Sequence, residues 1–150
     1  MRLYQGDYDR ETVYSESPAE VALNWVEEGA SRLHVVDLDG AKAGGPVNAG
    51  IVGKIASKAG VPVQLGGGIR DVATARAAVA RGIDRVILGT AAVERPGLLE
   101  ELPKELGDEA VIVGVDVRDG EVGLWGWTRG SGLAALELVR RVESAGVRRI

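Results

Sequence analysis

The stretch Gly60-Val61-Pro62-Val63-Gln64-Leu65-Gly66-Gly67-Gly68-Ile69-Arg70-Asp71 decides the fold. Gly60 follows a helix-like segment and supplies the left-handed cap that ends it. Val61 to Leu65 is a short, nearly continuous apolar run, the pattern of a strand in a buried parallel sheet. Three glycines close the strand. Asp71 then caps a further helix, whose apolar line is Ala75, Ala78 and Val79. One strand, one glycine-rich turn and one helix in immediate succession make a β-α unit.

Working outward, the same punctuation recurs. Gly29 precedes an apolar run from Leu33 to Leu38, and Gly82 one from Val86 to Leu88. Gly107 precedes Val111 to Val117, and Gly146 precedes Val147 to Ile150. The glycines are 31, 22, 25 and 39 residues apart, the period of β-α units and not of a sandwich. Between them, Ser17-Pro18 opens a helix with Ala19, Ala22, Leu23 and Val26 on one stripe, and Trp25 on that helix reads as core. A second helix spans roughly Ala49 to Ala59. Pro96 opens another through Leu98, Leu99 and Leu102. The last starts at Ser131 or Gly132 and carries Leu133, Leu136, Leu138, Val139 and Val142. Residues 1–14 read as an extended, turn-containing arm, with no linker or second domain in residues 1–150. The expected class is α/β with a parallel sheet of four complete strands and the beginning of a fifth. Spacing alone leaves open whether the parent sheet is doubly wound or closed into a barrel.

Composition narrows the function. A net charge of −4 with interspersed signs gives no nucleic-acid footprint and no basic membrane face. The absence of cysteine excludes disulfides, thiolate catalysis and cysteine metal sites, and one histidine cannot make a histidine cluster. No apolar run reaches the ~20 residues of a membrane span. The first residues lack a signal-peptide core, so a cytoplasmic protein is expected.

The carboxyl ends of the strands carry the chemistry. Gln64-Leu65-Gly66-Gly67-Gly68-Ile69-Arg70 and Ile87-Leu88-Gly89-Thr90-Ala91-Ala92 each put glycine ahead of a helix start. Backbone can then approach a ligand, and free N–H groups favour an anion. A tight turn without a ligand reads the same way. Arg70 has two readings, a phosphate ligand and an ion pair with a nearby acid. Asp116 ends the strand after Gly107, and Asp119-Gly120 signals a two-residue hairpin that folds Trp125 and Trp127 back over it. A carboxylate beside an aromatic lid suits acid–base chemistry; a turn-capping acid or a pair with Arg118 is the alternative. For Asp37 and Asp39 the structural reading is favoured, and for His34 a role in lining the sheet.

Arg2-Leu3-Tyr4-Gln5-Gly6, His34-Val35-Val36-Asp37-Leu38-Asp39-Gly40-Ala41, Leu65-Gly66-Gly67-Gly68-Ile69-Arg70, Gly89-Thr90-Ala91-Ala92, Val115-Asp116-Val117 and Gly126-Trp127 follow in this order. Together they resemble the phosphoribosylformimino-aminoimidazole carboxamide ribotide isomerases of histidine biosynthesis, over essentially the whole chain. The Gly-Gly-Gly-Ile-Arg segment is shared with the cyclase subunit of imidazole glycerol phosphate synthase; the arm and the Gly-Trp favour the isomerase. The resemblance implies a (β/α)₈ TIM barrel and an Amadori rearrangement of an aminoaldose to an aminoketose on a phosphorylated ribotide, with no metal or organic cofactor. It implies Asp116 as the active-site acid of the fifth barrel strand and Arg2 as a substrate contact. Gly67, Gly68, Gly89 and Thr90 become the first phosphate site, and Trp127 a residue packed on the substrate.

Measured against that family, the chain corresponds to strands two to five and the start of six. The family's first-strand aspartate, its sixth-strand acid–base residues and its second phosphate site fall outside these residues. The expectation is an incomplete barrel with little or no activity by itself, as a fragment or as a chain that self-associates into a homo-oligomer. A non-catalytic phosphate-binding module that self-associates and the cyclase are the competing functions.

Overall fold

The computed structural model describes residues 1–4, 6–124 and 129–150, with Arg2 and Arg129 described in backbone alone. The arm is an antiparallel hairpin of β1 (Arg2–Tyr4) and β2 (Asp7–Thr12). Helix α1 (Pro18–Glu27) leads into β3 (Leu33–Val36), α2 (Leu38–Ala43) and α3 (Ala49–Ala59). Then come β4 (Val63–Gly66), α4 (Val72–Val79), β5 (Arg85–Leu88), α5 (Thr90–Glu94) and α6 (Leu98–Leu106). After a 3₁₀ turn at Asp108–Ala110 follow β6 (Val111–Val113), β7 (Val117–Arg118), β8 (Glu121–Leu124), β9 (Arg129–Ala134) and α7 (Ala135–Ser144).

The four strands β3-β4-β5-β6 form one parallel sheet in chain order. That order follows from β-α units whose helices cross over to the neighbouring strand. Beside β6, the Val113 N–H donates to the Arg149 carbonyl at 3.0 Å, so the segment from Val147 lies where the next strand is expected.

The register separates the two faces of the sheet. Leu33 aligns with Val63, Leu65 with Val86, and Leu88 with Val113. These residues are buried, in one core with Val52 and Ile55 of α3, Ala75 of α4, Leu98 and Leu102 of α6, and Leu138 and Val142 of α7. Each such valine, leucine or isoleucine side chain taken from water contributes about 1.5–3 kcal/mol. The alternate residues His34 and Gln64, then Val36, Ile87 and Ile112, line the other face and stay partly or well exposed; Val36 is 45% exposed. The near-continuous apolar strands thus bury one face in this chain and present the other.

Several local expectations change. The strand expected to run to Val117 ends at Val113, and Gly114, Val115 and Asp116 continue outside regular structure. The segment expected to open the last helix at Ser131 or Gly132 is strand β9, because residues 129–134 pair with β8; the helix starts at Ala135. Leu136 is consequently 71% exposed, and Leu133 is buried from the strand. Trp25 is 61% exposed instead of core, since α1 buries Ala22 on another side of the helix. Val79 is likewise exposed while Ala75 and Ala78 are buried. The Asp119-Gly120 turn is as expected: Val117 pairs with Val122, Arg118 with Glu121, and both turn residues have positive φ, the signature of a tight two-residue hairpin.

Candidate active site

The carboxyl edge of the sheet gathers the strand-end residues. Val36 pairs with Gly66, Gly66 with Ile87, and Leu88 with Val113. Asp37, Gly67, Gly89 and Gly114 are the next residue along each of these strands. In parallel α/β sheets this is the edge where ligands bind.

Asp37 is the most enclosed group there, a carboxylate 4% exposed. It accepts from the N–H groups of Gly40 at 2.9 Å, Val47 at 3.0 Å and Asn48 at 2.9 Å, and from Asn48 Nδ2 at 2.8 Å. Burial pushes its carboxyl up, but the hydrogen bonds from Asn48, Gly40 and Val47 outweigh burial and hold it below the usual aspartate value. Asn48 Nδ2 also donates to Asp39 at 2.8 Å. The favoured structural reading of both acids fits these bonds. Sequence reasoning passed over Asn48; its only signal was an Asn just before a helix start.

The glycines of the β4–α4 turn answer to this hub. Gly67 has φ +91°, and a Cβ there would collide with the Asp37 carbonyl oxygen; Gly68 has φ +77°, and its Cβ would stand 2.7 Å from the Gly45 carbonyl oxygen. Both are glycine because a neighbouring loop occupies the space of a side chain. Gly89 differs. Its φ is negative and an added Cβ meets nothing within 4 Å, so close packing does not demand glycine there. It directly precedes Thr90, the first residue of α5.

Arg70 Nη1 lies 3.2 Å from Glu94 Oε2 on α5, and the Arg70 carbonyl accepts from Arg95 at 2.9 Å. The ion-pair reading of Arg70 is thereby realised, and it ties the β4–α4 turn to α5. Asp71 caps α4 by accepting from the Thr74 N–H at 2.7 Å; its carboxyl is held low by the Thr74 side chain and then by that N–H. Asp116 is exposed, two residues beyond Gly114, whose N–H donates to the Leu88 carbonyl at 2.7 Å. The Asp116 carbonyl accepts from Gly123 at 2.8 Å, which continues the β7–β8 ladder past Val117 and Val122. Trp125 and Trp127, and the side chain of Arg2, lie outside the described residues.

The arm docks on the same edge. Tyr8 donates its hydroxyl to the Leu38 carbonyl at 3.0 Å, and the Lys42 ammonium stands 4.9 Å from its ring centre. Burial first, and the Asp39 charge second, raise the Tyr8 phenol above its ordinary pKa. Among the described residues no helix is long and apolar enough to cross a membrane.

The chain is 48% identical over 150 residues to a Salinibacter ruber protein and 47% identical over 150 residues to one from a Roseiflexus species. A Synechococcus elongatus relative is 49% identical over 146 residues, 97% of this chain. Each bears the name 1-(5-phosphoribosyl)-5-((5-phosphoribosylamino)methylideneamino)imidazole-4-carboxamide isomerase. The chain spans 58%, 63% and 57% of those three relatives' lengths. The family model described as "Histidine biosynthesis protein" matches residues 1–150, and the chain belongs to that family.

Proposed function

We propose that this chain corresponds to the second to fifth strands and the start of the sixth of a (β/α)₈-barrel ribotide isomerase that converts an aminoaldose to an aminoketose in histidine biosynthesis. The observation that carries the reading is the identity of 45–49% across nearly the whole chain to relatives with that name. The open sheet face bearing Val36, Ile87 and Ile112 supports barrel closure in the full-length protein, where facing strands would cover it.

In this reading the substrate lies across the carboxyl edge. Its phosphate sits against the backbone of Gly67, Gly68, Gly89 and Thr90, and the open space over Gly89 admits it. Arg70, Arg2 and Trp127 complete the substrate-binding set, the last two as the family resemblance implies. Asp116 supplies a carboxyl group for proton transfer as the ribose ring opens and as the proton moves between adjacent carbons. Holding both ends of a long substrate lowers the orientational cost of those steps. The reaction needs no cofactor in this reading, and its site is that of a cytoplasmic enzyme.

The test is an isomerase assay of the full-length protein with the ribotide, comparing wild type with Asp116→Asn. General acid–base groups contribute roughly 10²–10⁴-fold, so kcat should fall by about that factor with little change in KM. An unchanged kcat in a folded Asp116→Asn protein overturns the role of Asp116. A wild-type protein inert on the ribotide overturns the reaction.

A further inference from the structure

We infer that Asp37 is a positioning residue for the phosphate side of the site, acting through the segment 40–48 to set the Gly67–Gly68 turn; this rests on the reading just given. The geometry runs in three steps. First, the carboxylate gathers donors from both ends of the segment, Gly40 at its start and Val47 and Asn48 at its close. Second, that closure fixes Gly45, whose N–H is bonded to the Gly40 carbonyl at 3.2 Å and whose own carbonyl forms the seat under Gly68. Third, the Asp37 backbone forms the seat under Gly67, and its N–H donates to the Gly66 carbonyl at 2.8 Å. The two glycines therefore rest on surfaces whose shape depends on one buried carboxylate. Their N–H groups can meet a phosphate only while those surfaces hold.

The charge itself matters here. Four donors converge on two carboxylate oxygens. An asparagine has one acceptor oxygen and would turn an NH₂ toward N–H groups, so a side chain of equal size cannot preserve the arrangement. Asn48→Ala is a gentler change. It removes the side-chain donor to Asp37 and leaves the three backbone donors in place.

The experiment uses the full-length protein and has two readouts. Steady-state kinetics of Asp37→Asn and Asn48→Ala give KM and kcat separately. Two-dimensional amide NMR follows Gly67 and Gly68 with and without inorganic phosphate. A loosened grip weakens binding in ground and transition states alike, so KM should rise about tenfold or more in Asp37→Asn and severalfold in Asn48→Ala, with kcat within about threefold of wild type. The Gly67 and Gly68 amides should shift in both variants, and their response to phosphate should shrink. A loss of thermal stability with KM and both amides unmoved would reduce Asp37 to a structural part and overturn the inference. If Asp37→Asn does not fold, Asn48→Ala alone decides: unmoved KM and amides overturn it. Shifted amides in a protein inert on the ribotide and unresponsive to phosphate would uphold the coupling of Asp37 to the turn and sink the functional reading instead.

Discussion

At the scale of residues, two glycines that look alike in sequence have different reasons to be there. Gly67 sits at positive φ against the Asp37 carbonyl, whereas Gly89 faces open space. Gly67→Ala should destabilise the protein by more than about 2 kcal/mol, from left-handed strain and the collision together. Gly89→Ala should cost less than half of that, and under the proposed function it should raise the KM of the full-length protein, its methyl taking space assigned to the phosphate. Urea denaturation of both variants beside their kinetics checks the contrast, and equal stability losses would contradict it. The carboxylates give a second expectation. Folding lowers the pKa of Asp37 and Asp71, so their contribution is whole above the unfolded value near ~3.9 and is lost as pH falls through the lower folded values. Stability should fall as the medium is acidified below about pH 4, and Asp71→Asn should flatten that fall. Denaturant titrations from neutral to acidic pH measure the slopes.

At the scale of elements, glycine punctuation located the parallel strands well, because a helix end at positive φ is a local requirement. Gly29, Gly60, Gly82 and Gly107 take positive φ where a helix or turn gives way to the next strand, and Gly146 does so before the segment that lies beside β6. The Asp119-Gly120 hairpin was legible for the same reason. The last helix was misplaced by three or four residues because Leu133 and Leu136 fit a helical stripe as well as a strand followed by a helix. What settled the matter was pairing of residues 129–134 with β8, a contact that local periodicity does not encode. The resulting frame is testable. Leu138→Ala should cost about 2–5 kcal/mol, as for a fully buried leucine. Leu136→Ser should stay within about 0.5 kcal/mol. Similar losses at both positions would restore the earlier helical frame.

At the scale of the whole molecule, the two edges of the sheet do different work. The amino edge is stitched by charges: Arg32 pairs with Asp84, Arg85 lies 3.5 Å from Asp84 and donates to the Glu109 carbonyl at 3.1 Å, and Glu109 pairs with Arg149. The carboxyl edge is instead built of glycines and a buried carboxylate, with open space beside Gly89. Between the edges one face of the sheet is covered and the other is open. The 150-residue chain by itself should therefore bind a hydrophobic dye and turn over ribotide at a small fraction of the full-length rate. Turnover near the full-length rate, measured in the same assay, would refute this.

Residue types and spacing by themselves determined the succession of β-α units and the glycine-rich strand ends, because these are written in local backbone requirements, and the resemblance of the motifs pointed to the family. Only the tertiary structure decided why Gly67 and Gly68 must be glycine, that Arg70 is bound to Glu94, and that Asp37 gathers a loop from residues up to Asn48. Gly67, Gly68 and Arg70 meet segments distant along the chain, Asp37 closes a loop that ends at Asn48, and no local pattern specifies which backbone will occupy the space beside a given residue.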